Sequence, residues 1–308
     1  MFRVSVIMIC RDGQAYLAEA IESVLAQTVP DWELIIVDDG SLDGSLGIAH
    51  EYARAESTRV RSLLSAAGRN VGMSAARNTG LRAASAEYIA LLDCDDAWLP
   101  EKLEVQLALA EQHREAEVVC GPSLYWRSWS GGTDTVRALG VPPGTKVPPS
   151  LLAGMLRNEI NAPATCSVLM RRTTALGLGG FEGTFPSMFE DRAFFTKVYL
   201  HARVLVTDRH LDRYRQHGRS ASAAAQQRGD YHPRLASPAH YRFLKWVEDY
   251  LHQQGVCDPD IWSAWRTGMW PYLHPLRYQV MSRADACGVG DALRRLRNGA
   301  LRRTGAPS

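Results

Sequence analysis

The sequence predicts an α/β protein with a mainly parallel central sheet flanked by helices. Strand-length apolar runs alternate with amphipathic, helix-length runs through residues 1–121. The apolar runs are continuous, which is typical of parallel strands buried on both faces. Two of them end in acidic clusters, at the edge of the sheet where open α/β folds bind ligands.

Periodicity and helix-breaking residues define the elements of the first half. Apolar residues recur at helical spacing over Ala15–Ala26, and Pro30 blocks continuation of that helix. Pro100 suits a first helical turn, where its missing N–H is not needed. The predicted strands are Val4–Ile9, Leu34–Val37, Val60–Leu64, Tyr88–Leu92 and Val118–Gly121. The predicted helices are Ala15–Ala26, Ser45–Arg54, Met73–Ala84 and Glu101–His113.

The second half is less regular. We expect a hairpin formed by Leu124–Trp129 and Thr133–Arg137, and a loop over the Pro- and Gly-rich segment Gly140–Ser150. Beyond it, the pattern predicts strands at Ala164–Met170 and Arg203–Thr207, a helix at Arg192–His201, and helices from Pro238 onward.

Composition excludes several classes of protein. The 308 residues are 46% apolar and 22% charged, as in ordinary globular proteins. The formal net charge of +2 gives no reason to expect a nucleic-acid partner. The chain contains no apolar stretch of about 18 residues, so we expect no transmembrane helix and a cytoplasmic location. The six cysteines form no CxxC pair and are expected to be free thiols.

The acidic clusters are Asp38-Asp39 and Asp93-Cys94-Asp95-Asp96. Carboxylates crowded into one region repel each other unless a cation offsets them. Mg²⁺ and Mn²⁺ typically join one or two carboxylates to substrate phosphates, so a metal–nucleotide site is one interpretation. The alternative for the first cluster is a turn that precedes a capped helix, because Asp-Gly-Ser suits turns.

A third segment runs from Asn70 to Asn78, with Gly72 just before a predicted helix. Free backbone N–H groups at a helix start favour anions, and Arg77 adds a guanidinium suited to phosphate or carboxylate. A capped helix with one surface arginine is the plainer interpretation.

Together these motifs resemble the family 2 glycosyltransferases. The resemblance rests on Ile21–Thr28, Val37–Ser41 and Asn70–Asn78, followed by Leu92–Asp96 in the pattern Leu-Asp-x-Asp-Asp. It covers about the first third of the chain. It implies a GT-A fold, a nucleotide-sugar donor and inversion at the anomeric carbon, in an enzyme of the metal-dependent hexosyltransferase type. It also favours a UDP-sugar, a saccharide or lipid-linked acceptor, and a role in polysaccharide or glycolipid synthesis.

The resemblance also implies roles for individual residues. Asp39 is expected to contact the nucleobase, Asp93 the ribose and diphosphate, and Asp95 the Mn²⁺ or Mg²⁺ ion. The other expected donor contacts are Ile9, Arg11, Asn70, Gly72, Arg77 and Cys94. Where many relatives carry Tyr-Asn after the first strand, this chain has Arg11-Asp12, so the resemblance does not imply stacking of the base on an aromatic ring.

Two later segments resemble the family's remaining motifs. Asp191, in Met188–Phe194, is expected to be the general base, because a dipole at a helix start favours an ionised carboxylate. A plain acidic N-cap is the alternative. His217, in Tyr214–Ser222, is expected at the metal or diphosphate, although a lone histidine is often structural.

The domain expectation is a catalytic unit over 1–220, with a nucleotide-binding half (1–121) and an acceptor-side half (122–220), followed by a helical extension over 221–308. Tyr125–Arg137 and Asn158–Cys166 are expected walls of the acceptor site. The arginine-rich tail suggests either a solvated helix face or peripheral contact with the inner face of a membrane. A non-catalytic nucleotide-sugar binder and a sugar nucleotidyltransferase remain alternative functions; the second usually has a more glycine-rich first loop.

Overall fold

The computed structural model describes residues 2–65, 69–185, 188–232 and 235–286. Within them the strands are β1 (Val4–Cys10), β2 (Trp32–Asp38), β3 (Val60–Leu64), β4 (Tyr88–Asp93), β5 (Ala97–Trp98), β6 (Val118–Cys120), β7 (Ser123–Trp126), β8 (Thr135–Arg137), β9 (Gly144–Lys146), β10 (Leu169–Arg171), β11 (Val204–Val206) and β12 (Asp212–Arg215).

The helices are α1 (Leu17–Leu25), α2 (Ser45–Ala55), α3 (Met73–Ala83), α4 (Lys102–Gln112), α5 (Leu152–Leu156), α6 (Arg172–Gly177), α7 (Glu190–His201), α8 (Ala221–Gln227), α9 (Pro238–Gln253), α10 (Pro259–Leu273) and α11 (Pro275–Ala286). None of these described helices is both long and apolar enough to cross a bilayer.

The main sheet has eight strands in the order β3-β2-β1-β4-β10-β6-β11-β9. The first four are mutually parallel, so their carboxyl ends meet at one edge. Strand β10 runs antiparallel between β4 and β6, which makes the sheet mainly, but not wholly, parallel. A smaller sheet, β5-β12-β7-β8, lies against this part of the fold. The predicted fold class is confirmed.

Alternate residues of β1 feed two separate cores because successive side chains of a strand point to opposite faces. Ile7 and Ile9 pack with α3, α7 and the C-terminal helices, whereas Val6 and Met8 pack with α1 and α4. All seven residues of β1 are buried, as the continuous apolar run predicts. The sheet is therefore covered on both faces, which fixes the positions of its strand ends.

Most predicted elements are confirmed within two residues, and β3 matches its prediction at both ends. Two predictions need correction. The expected loop Gly140–Ser150 contains β9, whose Gly144–Lys146 pairs antiparallel with β11. The expected strand Ala164–Met170 begins instead as a 3₁₀ turn over Thr165–Ser167, and the strand itself is Leu169–Arg171. In both places tertiary pairing outweighs local sequence pattern.

The C-terminal helices pack against α5, α7 and the segment just before α7. Phe243 of α9 stacks on Phe189 with ring centroids 5.1 Å apart, and Trp246 meets Phe185 edge-on at 5.8 Å. Trp262 and Trp265 are partly buried against the same core, which agrees with a packing role for these tryptophans. The tail arginines Arg294, Arg295, Arg297, Arg302 and Arg303 lie outside the described residues.

Candidate active site

A cleft of about 1160 Å³ opens at the carboxyl ends of the parallel strands. It brings together all eleven residues that the sequence singled out: Ile9, Arg11, Asp39, Asn70, Gly72, Arg77, Asp93, Cys94, Asp95, Asp191 and His217. They come from β1, β4, α3 and α7, from the loops after β1, β2, β3 and β4, and from the segment after β12. Residues up to 208 positions apart in the chain therefore face one space.

Adjacent Asp38 and Asp39 bind different loops through their carboxylates. Asp38 accepts hydrogen bonds from the N–H groups of Gly40 and Ser41, which makes the turn that the sequence offered as one interpretation. Asp39 lines the cleft and accepts hydrogen bonds from the N–H groups of Val71 and Gly72, each at 2.9 Å. Asp39 therefore anchors the loop that leads into α3.

That loop depends on a glycine at position 40. Gly40 has a φ of 74°, and a Cβ there would lie 2.6 Å from the backbone nitrogen of Asn70. Gly72 also has a positive φ, 93°, immediately before α3. The close approach of the two loops presents Asn70 and Gly72 to the cleft beside Asp39.

Arg77 is buried between two carboxylates. Its Nη2 lies 2.9 Å and 3.0 Å from the two oxygens of Asp93, and its Nη1 lies 3.1 Å from Oε1 of Glu190. Burial alone lowers the pKa of Arg77, but the charges of Asp93 and Glu190 outweigh it, and the net pKa is raised. Asp93 also accepts a hydrogen bond from Thr165 Oγ1 at 3.2 Å.

Asp95 and His217 meet in the cleft, with Oδ2 2.8 Å from Nε2. In the described ranges no group of three or more His, Cys, Asp or Glu side chains forms a complete metal site. The Asp95 carboxylate nevertheless suits Mn²⁺ or Mg²⁺, which commonly takes its other ligands from substrate phosphates and water, and the His217 imidazole lies beside it. The pair therefore fits a metal that binds together with a diphosphate.

Arg215 holds the backbone of this pair. Its Nε donates a hydrogen bond to the Asp95 carbonyl at 2.7 Å, and its Nη2 donates to Glu19 at 2.5 Å. The guanidinium carbon lies 4.9 Å, 4.2 Å and 5.0 Å from the ring centroids of Tyr16, Trp126 and Trp129. A planar guanidinium surrounded by aromatic rings has little freedom to move.

Asp96 supports the same loop from below the cleft. Its Oδ1 accepts a hydrogen bond from the backbone N–H of Arg215 at 2.8 Å. Burial, together with the charges of Asp95 and Asp93, raises the pKa of Asp96 well above its usual range. Asp96 is therefore a buried structural group, while Asp93 and Asp95 line the cleft.

Asp191 lies within the first turn of α7 and not just before it, because the helix begins at Glu190, two residues earlier than predicted, and its N-cap residue is Phe189. Phe189 precedes it with a φ of 70°, and this left-handed residue turns the chain into the helix. Burial and the neighbouring charge of Asp191 raise the pKa of Glu190 to about 7, against the opposing effect of Arg77. Asp191 itself is partly exposed to the cleft.

Arg11, Ile9 and Cys94 line the wall beside β1. The guanidinium Nε of Arg11 lies 3.7 Å from Oδ2 of Asp12, and both side chains are exposed. Cys94 hydrogen-bonds to Cys10, and this contact together with burial raises the pKa of the Cys94 thiol. Cys10, Cys94, Cys120 and Cys166 are buried free thiols as expected, whereas Cys257 is exposed.

Several residues in and around the cleft escaped sequence reasoning. Glu190 stood out only as part of a motif, and Tyr16 and Glu19 gave no local signal because they contact His217 and Arg215, about 200 residues away. Trp129, which lies in one of the expected acceptor walls, contacts Tyr16 and Arg215. The expected acceptor walls do contribute to the cleft, through Tyr125 and Ala162–Thr165.

The sequence model of Glycosyl transferase family 2 matches residues 5–173, more than half of the chain. The chain belongs to this family. One curated relative is the Bacillus subtilis "Putative glycosyltransferase EpsE", 43% identical over 117 residues, which are 38% of this chain and 41% of EpsE. Another is the Escherichia coli "UDP-Glc:alpha-D-GlcNAc-diphosphoundecaprenol beta-1,3-glucosyltransferase WfgD", 36% identical over 108 residues. That alignment covers 35% of this chain and 41% of WfgD, so the match spans less than half of either relative.

Solved structures agree on the fold. The family 2 chain is similar to S. aureus TarS 1-349 in complex with UDP-GlcNAc, with a TM-score of 0.60 and 18% identity over 91% of this chain and 83% of that one. It is also similar to the mannosyltransferase PcManGT from Pyrobaculum calidifontis in complex with GDP-Man and Mn²⁺, with a TM-score of 0.54 and 19% identity. That match covers 97% of this chain and 79% of the mannosyltransferase. The fold is of the GT-A type.

Proposed function

We propose that this family 2 protein is an inverting glycosyltransferase that moves a sugar from a nucleotide-sugar, a UDP-sugar by preference, to a hydroxyl acceptor in polysaccharide or glycolipid synthesis. The observation that carries the proposal is the shared cleft of Asp191, Asp93 and the Asp95–His217 pair. A general base and a diphosphate-binding end then face the same substrate. The catalytic unit in this proposal is 1–220, and 221–308 is the helical extension.

In this mechanism Asp191 accepts the proton of an acceptor hydroxyl as that oxygen attacks the anomeric carbon. The partly exposed carboxylate in the first turn of α7 is suited to the role, since a helix start favours its ionised form. The bond from the anomeric carbon to the diphosphate oxygen breaks as the new bond forms on the opposite face, so the configuration inverts.

The donor is held by the rest of the cleft. Asn70 and Gly72, presented by Asp39, face the nucleotide end, and Arg77 orients Asp93 beside it through two hydrogen bonds. Asp95 and His217 would hold Mn²⁺ or Mg²⁺, which when bound neutralises charge on the leaving diphosphate. Exposed Arg11 replaces an aromatic stacking residue beside the base.

The test separates donor binding from turnover. Binding of UDP-, GDP- and dTDP-sugars is measured calorimetrically with and without Mn²⁺, and turnover as release of nucleoside diphosphate. We expect Asp191→Asn to lower turnover by about 10²- to 10⁴-fold and to spare donor affinity, since a general base contributes that much. Asp95→Ala should weaken only metal-dependent donor binding. Asp208→Asn, an exposed aspartate outside the cleft lining, is the matched control.

The alternatives give different results. If wild type binds a nucleotide-sugar but releases no diphosphate with any acceptor, the chain is a non-catalytic binder. Full turnover in Asp191→Asn would remove that residue from the mechanism. The anomeric configuration of the product, read by NMR coupling constants, decides between inversion and retention.

A further inference from the structure

Two cysteines meet where two central strands of the main sheet end. Cys10 is the last residue of β1, and Cys94 directly follows the last residue of β4. These strands are parallel neighbours whose final pair is Ile9 and Asp93, so Cys10 and Cys94 come next in register. The N–H of Cys94 donates a hydrogen bond to the Ile9 carbonyl at 3.1 Å, which keeps the two chains side by side at this point.

The two sulfur atoms share one small space beside Gly13. A Cβ added to Gly13 would lie 2.5 Å from Sγ of Cys94 and 3.0 Å from Sγ of Cys10. Cys94 also forms a side-chain hydrogen bond with Cys10. Two thiols from different strands are therefore in direct contact, and the absence of a side chain at Gly13 leaves room for both.

The backbone separation at this point suits a disulfide. Neighbouring strands lie about 4.8 Å apart, and disulfides usually join Cα atoms that are about 4.4–6.8 Å apart. Cys10 and Cys94 are only 2% and 8% exposed, but both line the cleft, so a small molecule in the cleft meets them. A bond between the two sulfur atoms therefore requires side-chain rotation and a small local adjustment of the loop.

We propose that Cys10 and Cys94 form a modification site, at which a low-molecular-weight disulfide converts the two thiols to an intramolecular disulfide that weakens donor binding. One cysteine attacks a sulfur atom of the small disulfide and releases one small thiol. The other cysteine then attacks the mixed disulfide and releases the second small thiol. The protein loses two electrons and two protons, and the two small thiols carry them away.

The surroundings of the pair make the first step slow and the second step fast. The hydrogen bond with Cys10, together with burial, raises the pKa of the Cys94 thiol well above its usual range. A protonated thiol is a poor nucleophile, so the pair stays reduced unless the oxidant is abundant. Once one cysteine carries a mixed disulfide, the other lies beside it, and this proximity favours closure of the protein disulfide.

The expected effect on the donor follows from the position of Cys94 in the chain, and it rests on the proposed donor site. Cys94 lies between Asp93, which Arg77 holds, and Asp95, which meets His217. A disulfide brings the two sulfur atoms to about 2.05 Å, so Cys94 must turn toward β1. The carboxylates on either side of Cys94 are then displaced from the positions that suit a metal–diphosphate complex.

The test compares each protein with its own reduced form. Full-length protein is treated with glutathione disulfide, and linked peptides are mapped by mass spectrometry without reductant. Binding of UDP, GDP and dTDP is measured calorimetrically with Mn²⁺. We expect oxidised wild type to contain a Cys10–Cys94 linked peptide and to lose at least about tenfold in affinity for the nucleotide that it binds, because disturbed support of a metal ligand has an effect of this size. Dithiothreitol should restore the affinity.

Two variants serve as controls. Cys10→Ser should form no such link and should bind the nucleotide equally tightly before and after the treatment. Cys257→Ser should respond as wild type does, because Cys257 is exposed and absent from the cleft lining.

Three results would overturn the proposal: no Cys10–Cys94 link in wild type, unchanged nucleotide affinity in the linked protein, or an equal loss of affinity in treated Cys10→Ser. If reduced wild type binds none of the three nucleotides, the proposed function fails together with the effect on donor binding. The mapped peptide still decides in that case whether the two thiols form a disulfide, so the two failures are distinguishable.

Discussion

The guanidinium of Arg77 forms two hydrogen bonds with the carboxylate of Asp93, at 2.9 Å and 3.0 Å. The same side chain bonds Glu190 at 3.1 Å, so it joins the end of β4 to the start of α7. Because Asp191 follows Glu190, this buried arginine fixes the distance between the donor end of the cleft and the candidate base. Arg77 therefore connects β4 to α7 through these two ion pairs, which we call the Arg77 brace, and its guanidinium is not free to bind phosphate.

We predict that Arg77→Ala lowers the free energy of unfolding by about 3–5 kcal/mol, because it leaves buried Glu190 and partly buried Asp93 without their countercharge. Urea denaturation followed by circular dichroism measures the change. Arg82→Ala, an exposed position on the same helix, is the control and should stay within about 0.5 kcal/mol of wild type. If both substitutions changed the unfolding free energy by the same amount, the stabilising role of the Arg77 brace would be contradicted.

The second prediction concerns the pH dependence of stability. Burial and the charge of Asp191 raise the pKa of Glu190 from 4.5 to about 7. Between pH 4.5 and pH 7 the folded state therefore binds more protons than the unfolded chain. The stabilisation that protonated Glu190 contributes is complete below pH 4.5 and is lost as the pH rises through 7. We expect the free energy of unfolding to fall across this window for this reason.

Glu190→Gln keeps an acceptor for Arg77 but cannot ionise. Its unfolding free energy, measured at intervals from pH 4.5 to 8, should lack this part of the decline. Glu51→Gln, at an exposed position on α2, should keep the wild-type slope. If Glu190→Gln and wild type have the same slope, another group is responsible for the titration.

The parts of the site that sequence reasoning found are those with local signals. Asp39, Asp93 and Asp95 follow continuous apolar strands, and their clustering follows from parallel strand order alone. The brace formed by Arg77 and Glu190 has no such signal, since its ends are 113 residues apart. Likewise, β9 forms a strand because it pairs with the edge of β11, which the local sequence does not indicate.

The third prediction tests how closely α3 packs on the sheet. A Cβ on Gly80 would lie 2.3 Å from Cγ2 of Ile7 in β1, so α3 or the Ile7 side chain must shift to accept it. We expect Gly80→Ala to cost about 1–3 kcal/mol of unfolding free energy, the usual range for overpacking. Chemical denaturation provides the measurement.

Gly47 offers the matched comparison, because it lies within helix α2 and a Cβ there would meet no atom within 4 Å. Gly47→Ala should raise the unfolding free energy by about 0.5–1 kcal/mol, through helix propensity alone. If Gly80→Ala raised the unfolding free energy instead, the close packing of α3 on Ile7 of β1 would be contradicted.

The last prediction assigns Arg215 a positioning role, which rests on the proposed metal site. Its guanidinium donates hydrogen bonds to the Asp95 carbonyl and to Glu19, and its backbone N–H donates to Asp96. The side chain therefore orients the Asp95–His217 pair, while its own charge is paired with Glu19. Loss of such support typically costs about 10- to 100-fold in metal affinity. We expect Arg215→Ala to weaken Mn²⁺-dependent nucleotide binding by that factor and to leave metal-free nucleotide binding unchanged.

Arg213→Ala, an exposed neighbour on β12 that lies 5.2 Å from the Trp126 ring, should change neither affinity. Equal losses with and without Mn²⁺ in Arg215→Ala would instead mean that the side chain supports the cleft as a whole and not the metal pair.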